Sequence, residues 1–228
     1  MPIDPSRVSS LAGGVWTVYS TAIPTATSAL RENSLATPPV LPHNPMLEMV
    51  TACCGAWVDV LNTLTAKDNY VGTAGAASSP PTKFAFSAAE AAGAALAASM
   101  VWAGAAAVPV ARALTTDIAN QLIAQVQIQM PPPVGGGTGT GAISPGSNPD
   151  YTALQPAFLS ALMARFTSTG NFFIGDSPAL GLTKEILFLL NNLAANYVTI
   201  LASIAAPTVY TGSASSTAVT LVNAGVYV

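Results

Sequence analysis

Few side chains in this 228-residue sequence can do acid–base, nucleophilic or metal chemistry: one histidine, two cysteines and ten carboxylates. A Ser–His–Asp triad would have to be built on His43. That residue stands between Pro42 and Asn44 in a Pro-rich stretch, a position that favours a surface or cap-adjacent side chain. Cys53 and Cys54 are adjacent, and a vicinal pair closes on itself only with strain. With no further Cys or His cluster they make no metal spacing, so they are expected as two small buried apolar groups. Glu48 and Asp59 fall on one expected helix, eleven residues and about 16 Å apart, too far for paired acid–base work. Glu90, Asp117, Asp150 and Glu185 fall at or near expected helix starts, where the dipole favours an anion. Gly135–Gly141 lacks the following Gly-Lys-Ser/Thr that a phosphate cradle needs. The expectation is therefore no catalytic residue, no metal, no cofactor and no small-molecule substrate.

The elements around these residues read as mainly helical. Val8, Leu11, Val15, Val18 and Tyr19 recur at helical spacing within 6–31, ahead of a Pro-rich connector over 33–45. Leu47, Val50, Cys54, Trp57, Leu61 and Leu64 form a 3,4-spaced seam, with Asn44 as cap and Pro45 in the first turn. Residues 68–82 read as a loop. Ser87-Ala88-Ala89-Glu90 matches a capping box ahead of an Ala-rich helix to about Val108. Thr115 or Thr116 is expected to open another helix, whose tail Gln125–Met130 alternates with period two and also admits a strand. Residues 131–147 read as a Gly/Pro-rich linker or loop. Tyr151, Leu154, Phe158, Leu162 and Phe166 mark a further helix, and Thr183 caps one that runs to about Ala206. Thr208–Thr211 and Ala218–Val222 are β-branched and short, and Asn223-Ala224-Gly225 is a turn signal.

Two stretches resemble each other. Asn44-Pro45 and Asn148-Pro149 each start a helix; Thr65–Gly72 and Thr167–Ile174 each follow one; Ser79-Pro80 and Ser177-Pro178 precede long apolar helices that end near Pro109 and Pro207. The expected fold is a helical bundle of two similar helix–loop–helix units with a short β-hairpin or strand arm at the C-terminus. The expected divisions are 1–43 (N-terminal helix and arm), 44–130 (first unit), 131–147 (linker), 148–207 (second unit) and 208–228 (β arm).

Composition narrows function by exclusion. Charged residues make up 7% of the chain, against about 25% in an ordinary domain, with 7 Lys+Arg, 10 Asp+Glu and a net charge of −3. Mean hydropathy is +0.50. Seven scattered cations make no nucleic-acid patch. The apolar content argues against disorder, and two cysteines against a disulfide scaffold. Met1-Pro2-Ile3-Asp4-Pro5 has no basic run leading into an apolar one, so synthesis in a cytoplasm is expected. Ala91–Ala111 and Ile186–Ala206 carry no charge, and they define the alternative expectation of a small integral membrane protein. Against it, Asn191, Asn192 and Asn196 interrupt the second stretch, and no Lys/Arg flank sets an orientation.

A chain with so little charge needs its apolar surface covered, and an obligate oligomer does that. The Ala/Thr/Ser/Gly-rich usage, scarce charge and Gly/Pro arms resemble structural proteins of tailed-bacteriophage virions, of the neck, collar or baseplate type. The resemblance implies a non-enzymatic virion subunit whose partners are copies of itself and other subunits of the particle. The expected interface residues are Leu47, Val50, Trp57 and Leu61 on the helix seam, and Val219, Leu221, Val226, Tyr227 and Val228 in the terminal arm.

Overall fold

The computed structural model describes residues 2–22, 45–144, 151–169 and 184–228. Apolar residues at helical spacing give a layer of helices. Helix α1 (Arg7–Ala22) buries Val8, Leu11, Val15 and Tyr19. Helix α2 (Pro45–Leu61) buries Val50, Cys54, Trp57 and Leu61 along the anticipated seam. Helix α3 (Ala89–Ser99) leads through a 3-10 segment, Val101–Ala106, into α4 (Ala107–Arg112). A π-helical turn, Ala113–Asp117, joins α4 to α5 (Ile118–Gln125). Helix α6 (Tyr151–Thr169) buries Leu154, Phe158, Leu162 and Phe166, and α7 (Lys184–Ala202) buries Leu190, Leu193, Tyr197 and Ile200. Helix α2 packs between α1 and α6, α7 packs on α6 and α3, and the π turn touches α1, α2, α3 and α7.

That turn is wholly buried and its polar groups are satisfied locally. Tyr197 Oη donates to the Leu114 carbonyl (2.8 Å), Thr115 Oγ1 to the Ala111 carbonyl (2.6 Å) and Thr116 Oγ1 to the Ala89 carbonyl (3.1 Å). A π turn shifts the i→i−4 ladder, and these side chains take up carbonyls in and beside it. Thr115 and Thr116 therefore do not begin a new helix as expected. They lie inside one helical path from Ala107 to Gln125.

Beside the helices lies a sheet, and it overturns the expectation of a mainly α bundle with a β arm. Seven antiparallel strands, β1 (Ala66–Ala74), β2 (Ala77–Ser78), β3 (Ala85–Phe86), β4 (Ile128–Gln129), β5 (Gly136–Ile143), β6 (Ile204–Gly212) and β7 (Ala218–Tyr227), run in the order β2-β6-β5-β1-β7-β4, with β3 also on β6. The sheet curls. At the end nearest the helices, Thr82 and Ile128 exchange both backbone hydrogen bonds (2.8 Å each), so β4 meets the segment between β2 and β3 and the strand path returns to its start. Trp57 ties the layers together: its ring lies 6.0 Å from Phe86 on β3, 4.8 Å from Phe158 and 5.0 Å from Tyr197.

The corrections have physical reasons. Residues 131–147 were expected as a linker, yet β5 occupies the middle of the sheet, paired with β1 and β6. Its alternate residues Gly139 and Gly141 take the inner face because larger groups from other strands already fill it. A Cβ on Gly139 would lie 2.6 Å from Tyr70 Cε2, and one on Gly141 would collide with the Asp68 carboxylate. Residues 68–82 were expected as a loop, yet β1 alternates buried Ala66, Asp68 and Tyr70 with exposed Lys67, Asn69 and Val71. The C-terminal strands are not an arm but full members of the sheet, β6 on β5 and β7 on β1.

The proposed repeat fails at Thr65-Ala66-Lys67, which enters a strand, whereas its counterpart Thr167-Ser168-Thr169 is the last turn of α6. The Ser87 capping box is not formed; the Ala88 N–H is taken instead by Ser203 Oγ (3.0 Å). The caps Asn44, Asn148 and Thr183, and the pair Ser177-Pro178, lie outside the described residues.

Candidate functional site

The most polar part of the interior is on the inner face of the curled sheet. The antiparallel register brings Asp68 on β1 opposite Asn223 on β7, while Gly141 on β5 pairs with Thr208 on β6. Asp68 is fully buried. Its Oδ2 accepts from Thr208 Oγ1 and from Tyr210 Oη (2.7 Å), and Asn223 Nδ2 donates to Tyr210 Oη (2.9 Å) and to the Pro131 carbonyl (2.8 Å). Asp68 Oδ1 has no hydrogen-bond partner among the described residues. Tyr70 stands edge-on to Tyr210, with ring centres 5.1 Å apart. Burial pushes the Tyr210 phenol up to about 12; the Asn223 contact opposes this and Asp68 adds to it.

A carboxylate against a phenol could accept a proton, but Asp68, Thr208 and Tyr210 are all buried. Two surface clefts, one lined by Leu61, Leu64 and Tyr227 and the other by Met130, Pro132 and Gly225, include neither Asp68, Thr208 nor Tyr210. The arrangement ties three strands, β1, β6 and β7, together through their side chains, which is a structural task.

Both cysteines and Asp117 are enclosed as well. Cys53 and Cys54 are buried free thiols. Burial pushes Cys53 up to about 12 against the Tyr197 hydrogen bond, and it raises Cys54 well above its ordinary value, so neither presents a thiolate nucleophile at neutral pH. Asp117, expected at a helix start, is instead buried at the end of the π turn and pairs with the Arg112 guanidinium (3.3 Å). Burial raises its carboxyl above the ordinary value of 3.8; Arg112 opposes this, and Glu90 adds to it. Asp59 is clamped in a bidentate pair with Arg165 of α6 (2.6 and 2.7 Å). Glu48 and Asp59 both lie on α2, as expected. No group of three or more His, Cys, Asp or Glu able to hold a metal occurs among the described residues. His43 lies outside them.

What the chain does present is uncharged surface. Across the outward positions of β1, β5, β6 and β7, Lys67 is the one formal charge; the rest are Val, Thr, Ala, Pro and Asn. Val71, Val209, Val222 and Val226 stand exposed there, and Val222 is 71% exposed. A second apolar corner lies on the 3-10 segment and the start of α4, where Val101, Trp102 (64% exposed) and Val108 face out.

The expected interface residues divide between these settings. Val50, Trp57, Leu61 and Tyr227 are buried inside this chain's own core. Leu47, Val219, Leu221 and Val228 are half-buried, and Val226 is exposed. Sequence reasoning missed Val71, Val209 and Val222. Their signal was period-two alternation with Asp68, Tyr70, Thr208, Tyr210 and Asn223 on the opposite face, which polarity alone disguises.

No helix among the described residues is long and apolar enough to cross a membrane. Ala91–Ala111 is divided between α3, the 3-10 segment and α4, and Ile186–Ala206 between α7 and β6. Comparison with protein-family models, curated proteins and solved structures gives no match.

Proposed function

We propose that this protein is a non-enzymatic structural subunit of a large assembly, a phage virion component of the neck, collar or baseplate type that docks on copies of itself and on other subunits. The observation that carries the reading is the outer face of the curled sheet, where four strands expose valine, threonine and alanine around a single lysine. Isolated surface valines are ordinary, but an uncharged face continuous over four strands is the kind of surface that a partner covers. The enclosure of Asp68, Cys53, Cys54 and Asp117 supports a role without chemistry. The phage assignment rests on the compositional resemblance, the Ala/Thr/Ser/Gly-rich usage with scarce charge.

Electron microscopy of the full chain, purified without detergent, tests the reading. A discrete ring, tube or shell is expected. Isolated particles of monomer size at every concentration would overturn it.

A further inference from the structure

The sheet is closed near the helices and open at its far end. On one side β7 pairs with β1 continuously from Ala218 to Gly225 without a bulge. On its other side, the bonds to β4 and its flanking Gln127 reach only Val226, Tyr227 and Val228. No backbone hydrogen bond reaches Ala218–Val222 on that side among the described residues. The 213–217 connection between β6 and β7 does not cover it, because Ser213, Ser215 and Thr217 bond to Ala74 and Ala76 instead.

We infer that this free edge of β7, Ala218–Val222, pairs antiparallel with the same edge of a second copy, about a two-fold axis at Thr220. The inference rests on the assembly reading and names its contact surface. Exposed edges are normally blunted by Lys, Pro, a bulge or a covering segment; Ala218–Val222 has no Lys, Pro or bulge, and no covering strand among the described residues. The corresponding edge of β6 is protected: β2 and β3 hold both its ends, and Pro207 in the gap has no N–H to offer.

A second copy is the occupant because an antiparallel pair of one strand with itself is isologous: the same edge serves both partners and the contact closes. No charge occurs anywhere in residues 186–228, so self-pairing sets no like charges opposite one another. It would place Ala218 opposite Val222, and Thr220 opposite Thr220 with Cα atoms about 4.5–5.5 Å apart.

The test uses the full chain with exposed positions only. Thr220→Lys/Val222→Lys and Thr220→Glu/Val222→Glu are each expected to weaken self-association at least about tenfold, with unchanged circular dichroism, and an equimolar mixture to restore the wild-type mass through heterodimers. Mild oxidation of Thr220→Cys is expected to give a covalent dimer, since that spacing suits a disulfide and the native thiols are buried. A wild type that associates while both charged variants do so equally well, or a mixture that restores nothing, would overturn the edge contact and leave the assembly reading standing. Absence of the Thr220→Cys dimer in an associating protein would do the same. A wild type that stays monomeric would overturn both.

Discussion

At the residue scale the informative side chain is Asp68, a carboxylate that sits fully buried yet serves no accessible site. Thr208 and Tyr210 donate to it, and these two hydrogen bonds tie β6 to β1 across the inner face. Asp68→Asn keeps the size but replaces one carboxyl oxygen by an NH2 group that cannot accept. It should cost about 1–3 kcal/mol of stability, read from urea unfolding midpoints. Tyr210→Phe should cost about 1–2 kcal/mol. The double variant should lose at least about 0.5 kcal/mol less than the sum of the two; strict additivity would mean that the contact does no stabilising. Gly141→Ala tests the same cluster from the facing strand. Its Cβ would collide with the Asp68 carboxylate, and overpacking of this kind costs about 1–3 kcal/mol. Little of this was legible beforehand. A buried strand normally advertises itself by apolar alternate residues, whereas here the alternates are Asp, Thr, Asn and Gly, types that signal turns.

At the element scale the α4–π–α5 path is the sensitive part. Asp117 is buried there and its carboxyl is raised by burial, despite Arg112. A raised carboxyl binds its proton more readily in the folded chain than in the unfolded one. Its contribution to stability is therefore present at low pH and is lost as pH rises through the folded value. Compared with Asp117→Asn, the wild type should gain relative stability as pH falls from 7 into the range just above 3.8. Urea midpoints at pH 7, 5 and 4 would show this, and a gap moving the other way would contradict it. The Asp59–Arg165 pair joins α2 to α6 at the half-exposed rim. A double-mutant cycle should give less than about 1 kcal/mol, falling with salt.

Helices were the legible elements. The seam of α2 and the Leu154–Phe166 face of α6 carry long apolar repeats that survive in the fold. The strand β5 was not legible because Gly-Thr-Gly-Thr-Gly has the composition of a linker, and only its neighbours Tyr70 and Asp68 explain the glycines.

At the scale of the whole molecule, helices occupy one end of a curled sheet that closes beside them and opens away from them. The core is ample without a partner: Trp57, Phe158, Tyr197 and Phe86 join both layers inside one chain. The surface of the proposed contacts lies outside it, in an outer face with one lysine and an edge that no described residue protects. The seam Val50–Trp57–Leu61, expected between subunits, lies within the chain because the sequence pattern marks a buried helix face but not which chain buries it.

The assembly account stands or falls on one quantity, the mass of the full chain without detergent, measured by light scattering across a concentration series. It predicts a discrete multiple of 23.0 kDa that persists into the low micromolar range. A steady 23.0 kDa species at all concentrations would contradict it.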